Sequence, residues 1–236
     1  MAHQSFFKRY EIKYLISLEQ KKIILEAIKP YLELDKYGRT TIRNIYFDTP
    51  NYRLIRRSIE RPLYKEKLRI RCYEQVNEDS MVFVEMKKKY NSIVYKRRVL
   101  LPLNEAICWI SSKEERKDKN QIINEIQYFI NYYEDLKPAI FLSYEREAYY
   151  ALDNSDLRIT FDENILFRTE NVDLTQNVYG DKILEDGYSI MEIKYSKWIP
   201  LWLTKILSKE KIYKTRYSKY GTAYKHILEL NSKRGN

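Results

Sequence analysis

Glycine, proline, cysteine and histidine are all scarce in this sequence. Its 236 residues include 5 glycines, 6 prolines, 2 cysteines and 2 histidines. No Gly/Ser-rich or Pro-rich stretch marks an interdomain linker, so we expect one domain over residues 1–236. Cys72 and Cys108 lack the spacing of a zinc site or a disulfide scaffold, which favours a reducing cytoplasm. His3 and His226 have no metal-ligand spacing and no triad partner.

Long apolar runs and nucleotide-binding glycine motifs are also missing. The first residues lack the apolar core of a signal peptide, and no stretch approaches the roughly 20 apolar residues of a membrane span. We therefore expect a soluble, cytoplasmic protein without a membrane span. The absence of GxxxxGK[ST] and GxGxxG excludes the usual nucleotide-binding folds.

Positive charge is what the chain has in excess. Lys and Arg number 43 against 33 Asp and Glu, which gives a formal net charge of +10. An imbalance of this sign favours anionic partners, such as phosphates, nucleic acid or an acidic membrane surface. Charge alone leaves the choice among these three open.

The apolar periodicity predicts a β-rich chain with a few short helices. Period-2 alternation with β-branched and aromatic residues predicts strands at 9–16, 41–47, 67–73, 81–87, 93–101, 140–149, 157–161 and 189–194. Helical spacing predicts helices at 17–28, 121–133, 199–207 and 218–230. The polar run 111–120 reads as a solvated connection.

Several predicted strands carry charged residues two positions apart. Residues i and i+2 share a face of a strand, so Arg9, Glu11 and Lys13 lie on one side and apolar residues on the other. The same spacing recurs in Arg69/Arg71, Glu85/Lys87, Lys96/Arg98, Tyr144/Arg146, Arg158/Thr160/Asp162 and Glu192/Lys194. An antiparallel sheet with one solvated face explains such alternation equally simply. The heavy use of arginine, whose planar fork suits phosphate oxygens, favours a phosphate-binding face instead.

Closure of these strands would turn the charged faces into an interior. We expect an α+β fold: a closed antiparallel β-barrel tunnel with its charged faces inward and helices packed outside. Like charges cannot be buried without partners, so the interior requires a polyanion such as triphosphate or polyphosphate. A minority of carboxylates would suit Mg²⁺ or Mn²⁺ bridging phosphate oxygens. Ser218 fits a helix cap and a phosphate contact equally well.

The order of these motifs resembles the VTC (vacuolar transporter chaperone) domain, a polyphosphate polymerase of the triphosphate tunnel metalloenzyme, or CYTH-like, superfamily. The resemblance rests on RYEIK at 9–13, NIYFDT at 44–49, LRIRCY at 68–73, VEMK at 84–87, YER at 144–146, RITFD at 158–162, MEIK at 191–194 and RYSKY at 216–220. Single segments are unspecific, but eight in this order form a specific pattern.

The resemblance implies a role for each matching residue. The expected catalytic, phosphate-binding residues are Lys13, Arg69, Arg71, Lys87, Arg146, Arg158, Lys194 and Lys219. The expected substrate-binding residues are Arg9, Glu11, Glu85, Arg98, Tyr144, Arg216 and Ser218. Glu192 is the expected metal ligand for Mg²⁺ or Mn²⁺.

The resemblance also implies a reaction, transfer of the γ-phosphoryl group of ATP to a growing polyphosphate chain. Arg9 stands where many related triphosphatases have Glu, which favours the polymerase branch, and Arg216 replaces a lysine of the usual last motif. A metal-dependent inorganic triphosphatase or nucleotide phosphohydrolase is the first alternative. A non-catalytic polyphosphate- or nucleic-acid-binding module is the second, although we do not expect nucleic acid as the partner.

Overall fold

A computed structural model describes residues 10–91, 93–118, 120–153 and 155–234 of the chain. The elements, in chain order, are β1 (Tyr10–Ser17), α1 (Leu18–Ile28), β2 (Leu32–Leu34), β3 (Thr40–Asp48), α2 (Arg53–Ile59), β4 (Tyr64–Cys72), β5 (Met81–Tyr90), β6 (Ile93–Pro102), α3 (Leu103–Ser112), α4 (Gln121–Tyr132), β7 (Lys137–Ala151), β8 (Arg158–Arg168), β9 (Asp181–Lys182), β10 (Tyr188–Tyr195), α5 (Leu201–Lys209), β11 (Lys214–Thr215) and α6 (Lys219–Arg234). The four predicted helices are confirmed as α1, α4, α5 and α6, and each predicted strand matches an observed one. Across this part of the chain, every helix is too short or too polar to cross a lipid bilayer.

The strands form a sheet with two ends. Its order is β11-β1-β10-β8-β7-β3-β4-β5-β6, with β2 paired to β7 and β9 paired to β8. Adjacent strands such as β1 and β10, or β4 and β5, are antiparallel. The prediction of an α+β fold with an antiparallel sheet is right, but the prediction of a closed barrel is wrong. Within the described residues β11 and β6 are the edges of the sheet. Alternation sets the face of each side chain but not the strand tilt and stagger that closure requires, so it could not predict whether the sheet closes.

The chain divides into two compact units. Unit 1 comprises residues 1–40, 144–165 and 184–218, and unit 2 comprises residues 41–143, 166–183 and 219–236. A single domain over 1–236 stays a prediction. Each unit has its own apolar core and its own charged sheet face.

The core of unit 1 lies between its strands and two helices. Tyr14 and Ile16 of β1 are buried with Ile159 and Phe161 of β8 in one apolar cluster. The same cluster contains Ile24 and Ile28 of α1, Leu203 and Leu207 of α5, and Met191 and Ile193 of β10. The apolar residues of each strand therefore face the helices, as the alternation predicts.

Helix α1 begins with a reciprocal capping arrangement. The Oγ of Ser17 accepts the backbone N–H of Gln20 at 3.1 Å, and the Oε1 of Gln20 accepts the backbone N–H of Ser17 at 3.0 Å. Both donors would otherwise lack partners at the start of the helix. This capping box directs the chain from β1 into α1.

Replacement of the cap should therefore weaken the fold measurably. We expect Ser17→Ala to lower the free energy of unfolding by about 1 kcal/mol, because it removes an acceptor that the first turn of α1 uses. Urea unfolding followed by circular dichroism measures this difference. Ser232→Ala, in the last turns of α6, serves as the control and should change stability by less than about 0.5 kcal/mol. Equal stability of the wild type and Ser17→Ala would contradict the role of the cap.

The core of unit 2 joins β3, β4 and β5 to three helices. Ile45, Leu68 and Val84 from these strands are buried in one apolar cluster. The helices contribute Leu54 from α2, Ala106, Trp109 and Ile110 from α3, and Ile126, Phe129 and Ile130 from α4. Helices α2 and α3 were not predicted from the sequence.

Asp48 caps the short helix α2, whose N-cap residue Tyr52 makes no side-chain hydrogen bond to the first turn. Its carboxylate is buried at the end of β3 and accepts the backbone N–H groups of Leu54 and Ile55 at 2.8 and 3.0 Å. The hydroxyl of Tyr220, on α6, donates to the same carboxylate at 2.8 Å. Burial raises the pKa of Asp48, although these hydrogen bonds oppose the rise. One carboxylate thus ties β3, α2 and α6 together within unit 2.

Candidate functional site

Four cationic side chains converge on one buried carboxylate in unit 2. Arg69, Glu85 and Arg98 lie opposite one another on β4, β5 and β6. Glu85 Oε2 is 2.6 Å from Arg69 Nη2 and 3.9 Å from Arg71 Nε, and Glu85 Oε1 is 2.7 Å from Lys96 Nζ and 2.5 Å from Arg98 Nη2. We call these five residues the Glu85 cluster. One negative charge here faces four positive charges.

Two polar side chains of β3 hold the arginines of this cluster. The Oδ1 of Asn44 accepts an N–H from Arg71 Nε at 2.9 Å, while its Nδ2 donates to the Leu142 carbonyl at 2.9 Å. The phenolic oxygen of Tyr46 accepts an N–H from Arg69 Nη1 at 2.9 Å. Asn44 and Tyr46 were not among the predicted site residues. Their i, i+2 spacing beside the arginine strand was the signal that could have found them.

Lysines extend the positive face along the same strands. Lys67 of β4 lies opposite Lys87 of β5, and Lys87 lies opposite Lys96 of β6. Like charges directly opposite one another destabilise a sheet. Such a row therefore requires negative charge nearby to offset the repulsion between the lysines.

The pKa values of the titratable groups reflect this excess of positive charge. Burial by itself raises the pKa of Glu85, but Arg69, Arg71 and Lys96 hold it far below its ordinary value. Burial and the neighbouring arginines lower the pKa of Lys96 to about 7, although Glu85 opposes this shift. Burial raises the pKa of Tyr46, yet Arg69, Lys67 and Arg71 bring it down to about 7. All three shifts favour the less positive or more negative form of each group.

Unit 1 carries a second charged group, on β1 and β10. Lys13 lies opposite Glu192, and Glu11 lies opposite Lys194. Lys13 Nζ is 2.9 Å from Glu11 Oε1 and 3.3 Å from Glu192 Oε2, and Lys194 Nζ is 2.5 Å from Glu192 Oε1. Burial lowers the pKa of Lys13, but Glu192 and Glu11 raise it above its ordinary value overall. We call these four residues the Glu192 cluster.

Arg146 lies on β7 and Arg158 lies on β8, the neighbouring strand. Arg146 donates two hydrogen bonds to the buried carboxylate of Asp162, at 2.6 and 2.7 Å, and lies 5.1 Å from the centre of the Tyr144 ring. Arg158 stacks on Tyr150 at 4.4 Å, and its buried Nε has no hydrogen-bond partner. Asp162 thus neutralises Arg146, whereas Arg158 retains an N–H donor for another acceptor.

Comparison with known families decides the identity of this arrangement. The family model of the VTC domain matches residues 8–228. The chain belongs to the VTC domain family. This membership confirms the resemblance drawn from the eight motifs and places the chain in the triphosphate tunnel, or CYTH-like, superfamily. It supports a function in nucleotide or polyphosphate chemistry.

Solved structures with the same fold are distant in sequence. A proposed adenylate cyclase from Bacillus halodurans has a TM-score of 0.53 and 16% identity, over 89% of this chain and 95% of that chain. A proposed adenylate cyclase from Vibrio parahaemolyticus has a TM-score of 0.50 and 12% identity, over 96% of this chain and 99% of that chain. None of the curated proteins compared with the chain matches it. The structural likeness supports the fold of this VTC domain and no particular activity.

The other predicted site residues of the VTC domain lie around the end of β11 and the start of α6. Arg216 and Ser218 are exposed, Ser218 directly precedes α6, and the half-buried Lys219 is the first residue of α6. A cap and a phosphate contact both stay open for Ser218. Arg9 falls outside the described residues. The roles assigned to all these residues stay predictions.

A divalent metal is implied by the superfamily, and Glu192 is its predicted ligand. In the described part of the chain, no three His, Cys, Asp or Glu side chains are grouped so as to hold an ion. Magnesium, however, is commonly bound by one or two carboxylates together with substrate phosphates and water. The carboxylates of Glu192 and Glu11, both within 3.3 Å of Lys13 Nζ, fit that donor set.

A third set of ion pairs lies on the opposite side of β7 and attaches α1 to the strands of unit 1. The buried Nζ of Lys21 is 2.6 Å from carboxylate oxygens of both Glu147 and Glu163. Arg39 binds Glu163 at 3.0 Å and also binds Glu145. Glu145 and Glu147 alternate with Arg146, so they point away from the Arg146 side of the strand. We assign these pairs a structural role.

Proposed function

We propose that this VTC domain is an ATP-dependent polyphosphate polymerase. It would transfer the γ-phosphoryl group of ATP to the end of a growing polyphosphate chain and release ADP. The observation that carries the proposal is the Glu85 cluster with its adjoining row of lysines. Four cationic side chains meet one carboxylate on this surface, and the arginine forks match phosphate oxygens.

The proposed reaction places few demands on the protein beyond binding and charge neutralisation. An oxygen of the terminal phosphate attacks the γ-phosphorus, and the bond between the γ-phosphorus and the leaving ADP oxygen breaks. Arg69, Arg71 and Arg98 would neutralise phosphate oxygens on unit 2. On unit 1, Arg158 would contribute its unpartnered N–H. No covalent protein intermediate is needed, because phosphoryl transfer depends on in-line positioning and electrostatic stabilisation.

Glu192, with Glu11 beside it, would hold Mg²⁺ or Mn²⁺ in unit 1. The metal when bound neutralises charge on phosphate oxygens. Lys13 and Lys194 contact Glu192 and would bind phosphates next to those carboxylates. A cytoplasmic location, expected from the cysteine usage, is part of the proposal.

Incubation of the purified protein with ATP and either Mg²⁺ or Mn²⁺ tests the activity. We expect ADP together with a ladder of phosphate chains on a gel. Release of ADP or phosphate without a ladder would overturn the polymerase and favour a triphosphatase or nucleotide phosphohydrolase. Binding of tripolyphosphate without any turnover of ATP would favour a non-catalytic binding module.

The affinity for tripolyphosphate should depend on pH around neutrality. The pKa of Lys96 and that of Tyr46 are both lowered to about 7. As the pH rises through 7, Lys96 loses a positive charge and Tyr46 gains a negative one, so both changes weaken anion binding. We expect the wild type to bind more weakly above this pH than below it in calorimetry. The double variant Lys96→Gln/Tyr46→Phe should show a flatter profile, and identical profiles would contradict this prediction.

A further inference from the structure

The phenolic oxygen of Tyr46 is placed among cations at the edge of the Glu85 cluster. Tyr46 is 8% exposed and lies opposite Arg69 in the register of β3 and β4. Its oxygen accepts an N–H from Arg69 Nη1 at 2.9 Å, while the Nε and Nη2 of Arg69 donate to Glu85 at 2.9 and 2.6 Å. Arg69 therefore bridges a carboxylate and a phenol.

The carboxylates of the surrounding elements are already engaged by other groups. Glu85 on β5 receives Arg69, Lys96 and Arg98, and Asp48 at the end of β3 receives Tyr220 and backbone N–H groups. Among the described residues, the charged and titratable groups around Tyr46 include Lys67, Arg69 and Arg71 of β4, Glu85 of β5, Asp48 of β3 and Tyr220 of α6. The phenolic oxygen of Tyr46 is thus a further acceptor for Arg69, and it lies close enough to Lys67 and Arg71 for their charges to act on its ionisation.

The ring of Tyr46 is held in place by packing. It stacks on the Tyr220 ring, with 4.8 Å between centroids and 29° between planes. Tyr220 is itself fixed by its hydrogen bond to Asp48, and burial together with Asp48 raises the pKa of Tyr220. Tyr220 therefore remains a neutral donor, while the oxygen of Tyr46 stays directed at Arg69.

The ionisation of Tyr46 agrees with this geometry. Burial alone would raise its pKa, but Arg69, Lys67 and Arg71 lower it to about 7. With a pKa of about 7, Tyr46 would be partly phenolate at neutral pH, whereas a solvent-exposed tyrosine ionises near pH 10. A bound phosphate chain would bring its own negative charges to the same cations and would reverse this shift.

We propose that Tyr46 acts as the internal counter-anion of Arg69 in the ligand-free protein, and that it takes up a proton when a polyphosphate binds. The proton comes from solvent, and the restored hydroxyl donates it in a hydrogen bond to a phosphate oxygen. Tyr46 is then a substrate-contacting residue, and Tyr220 is a positioning residue. This inference rests on the proposed function only in taking polyphosphate as the ligand.

The ultraviolet absorbance of tyrosinate, measured against pH without metal, tests the inference directly. In the free wild type we expect one tyrosine to ionise with a midpoint of about 7, well separated from the others. Tyr46→Phe, which keeps the ring for stacking, should lose this step, and Tyr220→Phe should retain it. Saturating tripolyphosphate should move the midpoint up by more than about one pH unit, because anionic phosphate disfavours the phenolate. Lys96 titrates in the same range but does not contribute to this absorbance.

Calorimetry in buffers of different ionisation enthalpy provides the second measurement. At pH 7 the wild type should take up about half a proton more per bound tripolyphosphate than Tyr46→Phe does. Absence of the neutral step in the free wild type, its persistence in Tyr46→Phe, or its indifference to tripolyphosphate would overturn the inference. The wild-type titration needs no variant, so misfolding of Tyr46→Phe would not remove the test.

The two proposals fail in distinguishable ways. Suppose that tripolyphosphate shifts the midpoint of Tyr46 ionisation but the protein makes no polymer from ATP. This result would overturn the proposed polymerase activity and support the role of Tyr46 as a counter-anion. Synthesis of polymer together with a midpoint of Tyr46 ionisation that tripolyphosphate does not change would support the polymerase activity and overturn the counter-anion role.

Discussion

Arg98→Glu is expected to weaken tripolyphosphate binding about a hundredfold, whereas Arg97→Glu should leave it within about twofold. The two arginines are neighbours on β6 and point to opposite faces. Arg98 donates to Glu85 through Nε and Nη2, at 2.8 and 2.5 Å, while Arg97 donates to Glu125 of α4 at 3.0 Å. The two variants make the same change in net charge, so a difference in binding reports the face and not the total charge.

The expected loss has two physical sources. Reversal removes a donor for phosphate oxygens, and it places a second carboxylate beside Glu85, whose remaining cations must then neutralise both. A hundredfold change corresponds to about 2.7 kcal/mol, within the range for loss of one member of a hydrogen-bonded charge pair. Calorimetric titration at fixed ionic strength measures both affinities, because exposed charges are screened by salt.

Equal losses in the two variants would contradict the assignment of the Glu85 face. That outcome would mean that binding follows overall charge, as for a non-specific basic surface that also binds nucleic acid. Arg98→Gln separates the sources further. It should weaken binding less than Arg98→Glu, because it removes the donor without adding a negative charge.

The side-chain faces of the strands were predictable from the sequence because the strand period is fixed by the backbone. Lys13 and Glu192 were placed on charged faces from their spacing alone, and the structure puts them opposite each other on β1 and β10. Tyr14, one of the residues that alternate with Glu11 and Lys13, was correspondingly placed on the apolar face, and it is buried. The local residue pattern contains this information, so no tertiary contact was needed to read it.

The contacts that cross the sheet were not predictable in the same way. Glu85 was expected to be one substrate-binding residue among several, but strand register brings Arg69, Lys96 and Arg98 onto its two oxygens. Register depends on turn lengths and packing beyond the strand itself. Tyr46 was missed for a different reason: an aromatic residue in a strand is ordinarily a core residue, and Tyr46 is indeed buried.

Helix α2 and the open ends of the sheet depend on contacts that the local residue pattern does not contain. The carboxylate of Asp48 accepts the backbone N–H groups of Leu54 and Ile55, which lie six and seven residues further along the chain. No local capping motif has this spacing. Closure of a sheet depends on tilt and stagger summed over all its strands. Both features emerge only when the strands are assembled, so the closed barrel expected from alternation was wrong while the charged faces were right.

Glu192→Gln is expected to reduce metal-dependent turnover of ATP about a thousandfold while it preserves the fold. A carboxylate that holds a metal against phosphate oxygens supports several kcal/mol of charge stabilisation in the transition state. The amide has the same shape as the carboxylate, and Lys13 keeps its ion pair with Glu11 at 2.9 Å. Circular dichroism and urea unfolding should therefore show a folded variant.

Binding without metal should change in the opposite direction. Glu192 lies within 3.3 Å of Lys13 Nζ and 2.5 Å of Lys194 Nζ, so its removal leaves more positive charge for a phosphate. We expect Glu192→Gln to bind metal-free tripolyphosphate as tightly as the wild type or more tightly, although it is inactive with ATP. If the role of Glu192 were purely structural, Glu192→Gln would lower both the affinity for tripolyphosphate and the stability of the fold.

The matched control is Glu145→Gln, which neutralises a carboxylate of unit 1 that binds Arg39 on the other side of β7. It should retain turnover within about threefold, since surface ion pairs contribute little to stability and Glu145 points to the other face of β7 from Arg146. Full activity of Glu192→Gln would remove Glu192 from the metal site. Equal loss in both variants would mean that the effect arises from the charge of unit 1 as a whole. Inactivity of Glu192→Gln alone, with binding retained, would separate metal-assisted transfer from phosphate binding and assign the first to Glu192.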